Sequence, residues 1–431
     1  MRNIRYIIMQ QPRHILFVPF LCLSLLLMSA CGLSSGTDAT ISNVANSTHL
    51  YVLDGSISSP QSQHFVVFHP GDTHAMSLPA GLMSQDHQRI YTATPNNGQT
   101  TVLVTDATTG RTIRSLTLSG TYSTASYDYT NAVTSFDGHW LALREQQTTT
   151  TSSEFAFVNT LNGHVENITL QGQFDLDAIS PDGSRLYLLQ QINDAAGHYY
   201  VRLYQVNQHQ LYPNVIADKS DINDPRMIGS GLTRQVASDG TRDYTLYIDT
   251  RENIAFVHAL PLTGNLYLAR CIDLPTGKSP ALLRYYTLAL SADGSTLYAT
   301  NAALGVSVAI SVADTAALND DIISTTKFTS TPVTGNMQTL DKGAVLSPNQ
   351  STLYVLGTHG ITAIDVSKGI FEQSYAPQQT FTGVAISSDG RTLYATQPQD
   401  GITVINVASG QTQKIIHSPA HAPWGIEWIS Q

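Results

Sequence analysis

The sequence predicts an all-β fold, a single β-propeller of four-stranded antiparallel blades. Three observations predict it: a recurring turn-and-strand motif, a repeat spacing of 40 to 58 residues, and chain ends that complement each other. The composition agrees, because only 13% of the residues are charged while Thr, Ser, Asn and Gln are plentiful. Side chains of this kind suit exposed β surfaces more than helices.

The motif is Ser-x-Asp-Gly followed by a short strand rich in Leu and Tyr, as in SSDGRTLYAT from residue 387. Asp accepts backbone N–H groups in a tight turn and Gly adopts positive φ, so the motif predicts a hairpin between the first two strands of a blade. Alternating stretches such as GITVINV (401–407) predict the third strand, and 412–416 the fourth. Aligned on the Ser, the repeats begin at residues 84, 135, 180, 238, 291, 347 and 387.

The two chain ends predict how the ring closes. HLYVLDG (49–55), HFVVFHPGD (64–72) and AMSL (75–78) have the pattern of strands two, three and four of a blade that lacks its first strand. HAPWGIEWIS (421–430) has the pattern of a first strand with nothing after it. Joining them forms a composite blade and removes two exposed sheet edges. The count is then eight blades, with seven as the alternative because the repeat at 238 is degenerate.

The N-terminus has the features of an export signal. Arg2, Arg5 and Arg13 precede the apolar residues 15–28, which are followed by Met-Ser-Ala-Cys at 28–31. A basic region, a short apolar region and small residues before a cut are typical of secretory signals. The apolar region is shorter than the ~20 residues that a spanning helix needs. Secretion without lipid and an uncleaved anchor remain the alternatives.

Residues 28–32 resemble the lipobox of bacterial lipoproteins, with Met28 where Leu is usual. In that family Cys31 would carry diacylglycerol and palmitate-type acyl chains and become the new N-terminus. The resemblance implies a signal peptide at 1–30, a lipidated flexible tether at 31–46, and a propeller domain at 47–431. It places the protein in the bacterial cell envelope, held on the extracytoplasmic side of a membrane by its lipid.

The net charge and the cysteine content limit the kinds of partner and attachment that the protein can have. The net charge is −10 and the basic residues form no run, which excludes a nucleic-acid footprint. Removal of residues 1–30 takes away three Arg and no acid, leaving 19 basic against 32 acidic residues, or −13. Lipid rather than charge would therefore tether the chain. Cys271 would be the single thiol of the folded part, which predicts a buried apolar side chain and no intramolecular disulfide.

LYATN (297–301), LYVLG (353–357) and ITVINV (402–407) are similar to YVTN-type propeller repeats, relatives of WD-repeat proteins found in bacterial surface and periplasmic proteins. The likeness spans about residues 47–430, and the repeats at 135 and 238 depart from it most. It implies a scaffold often used for binding. It implies no shared catalytic set, so no catalytic residue is carried over.

No motif predicts metal or cofactor chemistry. The Asp-Gly turns lack the ligand spacing of an EF-hand calcium loop. His417 and His421 are four residues apart, but Pro419 prevents a helix that would place them on one face. Walker and dinucleotide fingerprints are missing from the sequence. We therefore expect no catalytic residue, no metal site and no cofactor.

Geometry suggests where a ligand would bind. The first strand of each propeller blade lines the central channel, and the segments that lead into these strands form one rim of it. Aromatic groups beside charges of both signs suit recognition of a peptide or a glycan. The candidate rim and channel residues are Asp175, Asp177, Arg234, Arg284, Tyr286, Lys342, His421, Trp424 and Glu427.

The leading functional hypothesis is a non-catalytic binding or scaffold module for a protein, peptide or envelope polymer. The alternative is a lactonase-like or other hydrolytic propeller enzyme with its site at the channel mouth. Such an enzyme gathers several carboxylates, His or Asn at that mouth, where the acids here are Asp175, Asp177 and Glu427. A third hypothesis is a structural ring that only spaces other components.

Overall fold

The computed structural model describes residues 48–55, 62–124, 131–146, 151–313, 318–329, 343–398 and 400–430. Its strands form eight antiparallel sheets, the blades of a ring, which confirms the eight-bladed propeller. The proposed signal peptide, Cys31 with its tether, and Lys342 lie outside the described residues. None of the helical segments in the described part is long and apolar enough to cross a membrane.

Strands are numbered in chain order, and each blade except the first is continuous in sequence. Blade 1 consists of β1 (His49–Asp54), β2 (His64–Phe68), β3 (Met76–Pro79) and the last strand, β33 (Pro423–Ser430). Blade 2 consists of β4 (Leu82–Met83), β5 (Arg89–Asn96), β6 (Gln99–Asp106) and β7 (Thr112–Ser119), blade 3 of β8 (Ala132–Thr134), β9 (Trp140–Arg144), β10 (Ser152–Asn159) and β11 (Val165–Gln171), and blade 4 of β12 (Phe174–Ile179), β13 (Arg185–Gln191), β14 (Tyr199–Gln205) and β15 (Gln210–Leu211). Blade 5 consists of β16 (Ala217–Asp218), β17 (Ser230–Val236), β18 (Arg242–Asp249), β19 (Ile254–Pro261) and β20 (Leu268–Asp273), and blade 6 of β21 (Tyr286–Leu290), β22 (Thr296–Asn301), β23 (Val306–Ser311) and β24 (Asp321–Lys327). Blade 7 consists of β25 (Ala344–Leu346), β26 (Thr352–Leu356), β27 (Ile361–Asp365) and β28 (Ile370–Tyr375), and blade 8 of β29 (Gly383–Ile386), β30 (Thr392–Gln397), β31 (Gly401–Asn406) and β32 (Thr412–Ile416).

The core lies between neighbouring blades. In β30, Leu393 packs into an apolar cluster shared with blade 7, and the next residue, Tyr394, packs into a cluster shared with blade 1. Leu353 and Tyr354 of β26 divide in the same way between blades 6 and 8. Successive side chains of a strand point to opposite faces of its sheet, so each Leu-Tyr pair joins one blade to both neighbours.

The Ser-x-Asp-Gly turn is held by its own side chains. In blade 8, Ser387 Oγ donates to Asp389 Oδ1 at 2.6 Å, and the same oxygen accepts the Arg391 N–H at 3.0 Å. The Thr392 N–H donates to Ser387 Oγ at 3.0 Å, and Gly390 adopts φ +71°. The same Ser-to-Asp or Ser-to-Asn hydrogen bond recurs in five other turns, at Ser84, Ser135, Ser180, Ser291 and Ser347.

Blade 5 departs from this pattern, and alignment of its repeat on Ser238 is wrong by one residue. The Ala237 N–H donates to the Arg242 carbonyl and the Gly240 N–H to the Ala237 carbonyl, which are the turn bonds made by Ser180 in blade 4. Ala237 therefore occupies the Ser position, so the turn lacks the hydroxyl. The blade also gains a fifth strand, β16, which pairs parallel to β20 at Ala217 and Leu268.

Blade 1 closes the ring as the chain ends predict. β33 pairs antiparallel with β1 from His49 opposite Ser430 to Asp54 opposite Pro423. The Trp428 ring lies 4.6 Å from that of Tyr51, between ring centroids, and stacks on a blade 2 turn residue, His87, at 5.0 Å.

Candidate functional site

The top face of the ring is the face at which the innermost strands begin. Phe174, the first residue of β12, pairs with Gln190 near the end of β13, so the β13–β14 loop lies on the top face. Ser230, the first residue of β17, pairs with Ile248, which places the β18–β19 loop there as well. The Ser-x-Asp-Gly turns, at the opposite strand ends, lie on the bottom face.

Asp175 joins blades 3 and 4 near the top face. Its Oδ1 lies 2.6 Å from Nη1 of Arg144 on β9, and its Oδ2 accepts a 2.6 Å hydrogen bond from Gln191 Nε2. Both members of this ion pair are largely buried, with 23% of the Arg144 side chain and 17% of the Asp175 side chain exposed.

Asp177, Arg234 and Asp243 form a buried triad that joins blades 4 and 5. Arg234 Nη2 donates to the Asp177 carbonyl at 2.6 Å, and lies 3.4 Å from Asp177 Oδ1 and 3.1 Å from Asp243 Oδ2. Asp177 is the extra residue of a β-bulge, because Leu176 and Ala178 pair with successive residues of β13. A bulge redirects a side chain, which explains why this carboxylate reaches the neighbouring blade.

The triad contains one cation and two carboxylates in a site closed to water. Burial, opposed by Arg234 and reinforced by the Asp177 charge, raises the pKa of Asp243 to about 7. Oδ2 of Asp177 and Oδ1 of Asp243 are buried and have no hydrogen-bond partner among the described residues. The triad is thus a pH-sensitive junction between two blades.

Three ion pairs lie together on the top face of blades 4 and 5; we call them the top-face cluster. His198 Nδ1 lies 2.6 Å from Asp194 Oδ2 on the β13–β14 loop. The other two pairs are Arg226 Nη2 with Asp224 Oδ2 at 2.6 Å and Arg251 Nη2 with Asp249 Oδ2 at 2.8 Å.

The three segments of the top-face cluster contact one another. Arg251 Nη2 donates to the Ala196 carbonyl at 2.8 Å, which joins the β18–β19 loop to the β13–β14 loop. A bridge between Tyr199 and Met227 holds the segment before β17 against β14. Hydrogen bonds from His198 lower the pKa of Asp194 to about 2, so this carboxylate is ionised throughout the neutral range.

The remaining sequence-predicted residues lie elsewhere. Tyr286 is buried between blades 5 and 6, where its hydroxyl donates to the Pro275 carbonyl at 2.6 Å. Trp424 and Glu427 are the extra residues of two bulges in β33, and the Trp424 ring packs against the core of blades 1 and 2. Arg284 is exposed on a 3₁₀ turn, Pro280–Tyr285, and His421 is exposed just before β33.

Sequence reasoning brought Asp177 and Arg234 into one set, and the structure places them in contact. It missed Arg144 and Asp243, which lie on second strands, and the whole top-face cluster. One feature of the sequence could have indicated an insertion here: the spacing of 58 residues between the repeats at 180 and 238 is the longest in the chain. That length contains the segment 212–229, an insertion between β15 and β17 that supplies Asp224 and Arg226.

The top-face cluster presents charged side chains at the surface of the protein. In the described part of the chain, no group of three or more His, Cys, Asp or Glu side chains converges as metal ligands. Asp224 and Asp249 are each paired with an Arg side chain, and Asp194 contacts the His198 ring. Side chains of both charge signs that are fixed on a rigid sheet scaffold are suited to hold a charged ligand.

Comparison with solved structures places the chain among β-propellers. It is similar to AztD of Citrobacter koseri, with 12% identity over 88% of this chain and 97% of that chain and a TM-score of 0.53. The apo form of AztD gives 13% identity, the same coverage and a TM-score of 0.52.

The periplasmic gluconolactonase PpgL of Pseudomonas aeruginosa shows 17% identity over 80% of this chain and 98% of that chain, at a TM-score of 0.42. No family model matches the chain, and no curated protein matches it. At these identities the likeness establishes the fold alone.

Proposed function

We propose that this protein is a lipid-anchored, extracytoplasmic binding module whose top face takes up a polypeptide carrying both charge signs. The observation that carries the proposal is the top-face cluster, where three segments from two adjacent blades contact one another and present Asp, His and Arg side chains. A polypeptide fits better than a neutral glycan because the cluster offers charges of both signs.

The cluster can exchange its own ion pairs for those of a ligand. The Arg226 and Arg251 side chains are 47% and 63% exposed. The Arg226–Asp224 pair is exposed on both sides, and exposed ion pairs stabilise a protein by ~1 kcal/mol or less, so opening this pair for a ligand costs little. The Asp249 carboxylate is 5% exposed, so Arg251 keeps its contact with it. The sheets beneath hold the loops in place, which limits the ordering cost on binding.

Reversal of two charges tests the proposal. We expect the wild type to enrich a partner protein from crosslinked envelopes. The double variant Arg226→Glu, Arg251→Glu is expected to recover at least about tenfold less of this partner, as measured by quantitative mass spectrometry. Arg391→Glu is the matched control, since Arg391 also faces an Asp at 4.0 Å but lies on the bottom face with 83% of its side chain exposed. Equal recovery by all three proteins, or recovery of a glycan only, would contradict the proposal.

Membrane attachment through Cys31 is tested separately. Cys31→Ser removes the thiol that would receive lipid, so we expect the protein to move from the membrane pellet to the soluble fraction and to lose incorporation of labelled palmitate. Cys271→Ser is the control, because this thiol is largely buried and its pKa is raised by burial. Unchanged fractionation of the Cys31 variant would refute the lipid anchor.

A further inference from the structure

Blade 5 carries the largest departure from the repeat, and a cavity lies beside it. It is the one five-stranded sheet among the described sheets, because the insertion 212–229 adds β16 outside β20. Between this added strand and the start of β24 lies a cavity of about 300 Å³. Its lining consists of Lys219, Ser220, Arg270, Leu318, Asn319, Asp320 and Asp321. Departures from a consistent repeat are expected at functional sites.

The floor of the cavity is a buried ion pair. Arg242 Nη1 lies 2.6 Å from Oδ1 and 2.8 Å from Oδ2 of Asp320, and both side chains are buried. This pair fixes residues 318–320 against blade 5 and neutralises the Asp320 carboxylate. The charge that a ligand meets is therefore set by the other lining residues.

Two cations line one part of the cavity. Lys219 Nζ donates to Asn319 Oδ1 at 2.9 Å. Arg270 is held through Nη1, which donates to the Cys271 carbonyl at 2.9 Å, and through Nε, which lies 3.4 Å from the Asp320 carbonyl. Its Nη2 makes no hydrogen bond to the described residues, so a fixed guanidinium keeps one amino group for a ligand. A guanidinium group is suited to hold a carboxylate through paired N–H groups.

One carboxylate complements these cations. Asp321, the first residue of β24, is exposed, and its Oδ1 accepts the Ile322 N–H at 2.8 Å. It has no cationic partner among the described residues. Asp218 Oδ1, 3.9 Å from Arg270 Nη1, offsets part of the positive charge. The cavity lining is thus polar and includes both basic and acidic side chains.

We propose that this cavity binds a small zwitterion of the amino-acid type, with its carboxylate at Arg270 and its ammonium group at Asp321. The volume is at the lower end of ligand pockets, which favours a molecule of this size over a larger one. The cavity lies on the bottom face, because Asp321 follows a turn between the third and fourth strands of blade 6. It is separate from the top-face cluster, so the two proposals can fail independently.

Calorimetric titration of the full chain with each of the twenty standard α-amino acids tests the inference. We expect at least one to bind saturably with one-to-one stoichiometry, and the matching amine and the matching carboxylic acid to bind at least about tenfold more weakly. Arg270→Lys keeps the positive charge but loses the paired N–H donors of the guanidinium group. Asp321→Asn removes the negative charge of an exposed side chain. Each variant is expected to weaken binding about tenfold. Arg391→Gln is the control, since Arg391 is exposed on the bottom face of blade 8 away from the cavity, and it is expected to bind as the wild type does.

Three results would overturn the inference. They are the failure of every amino acid to saturate the wild type, unchanged affinity in Asp321→Asn, and a carboxylic acid or inorganic phosphate that binds as tightly as the amino acid. Thermal unfolding of each variant checks that it is folded. If Arg270→Lys is destabilised, Asp321→Asn still tests the inference, because this substitution removes no buried contact.

Discussion

Removal of residues 421–431 is expected to lower the free energy of unfolding by at least about 5 kcal/mol, because the innermost strand of blade 1 is lost. Ile426 is 2% exposed, and Trp424 and Trp428 pack against the core of blades 1 and 2. Each large apolar side chain contributes about 1.5–3 kcal/mol when it is fully buried. The deletion also exposes β1 as an unpaired edge inside the ring, and it removes the strand that β29 packs against.

Thermal unfolding followed by circular dichroism measures the effect, with an expected fall in Tm of about 10 °C or more. The point variant Ile426→Ala keeps the strand and leaves a cavity, so its expected cost is smaller, about 2–5 kcal/mol. A truncated protein that unfolds at the wild-type temperature would show that the ends do not share a blade.

The buried triad gives the second large effect. Replacement of Arg234 by Met is expected to cost about 3–5 kcal/mol at pH 8, because Asp177 and Asp243 then remain buried without their cation. Denaturant unfolding of the wild type and the variant at pH 8 measures it. At pH 5 the cost is expected to be smaller, since protonation of Asp243 removes one of the two buried charges.

The sign of the pH dependence follows from the raised pKa of Asp243. Its pKa is about 7 in the folded chain against an ordinary value of 3.8, so the folded state binds the extra proton between these values. Stability from this group is therefore present at low pH and is lost as pH rises through about 7. His258, whose pKa is lowered by burial, opposes this trend below the ordinary histidine pKa of 6.5.

Comparison with Asp243→Asn isolates the contribution of this carboxyl from that of His258. We expect the wild type to lose stability relative to the Asn variant as pH rises from 5 to 8. Parallel stability curves for the two proteins over that range would show that Asp243 does not titrate there.

Local rules allowed much of the fold to be predicted. The Ser-x-Asp-Gly turn closes through hydrogen bonds within six consecutive residues, as at Ser387 and Asp389. It can therefore be predicted wherever this sequence motif occurs. The same rule failed at blade 5, where Ala237 takes the Ser position and only backbone bonds define the turn. The candidate site was less predictable, since Arg234 meets Asp177 and Asp243 through a bulge and a neighbouring blade.

By itself, the sequence determined the repeated blade and closure by both chain ends, because strand alternation and turn chemistry depend on residues close together in the chain. The structure decided between eight blades and seven. The tertiary structure alone decided which charges meet: the triad at Arg234, the top-face cluster and the cavity beside β16. These sites depend on bulges, on a parallel fifth strand and on contacts between segments tens of residues apart. The periodicity of the sequence does not predict such contacts.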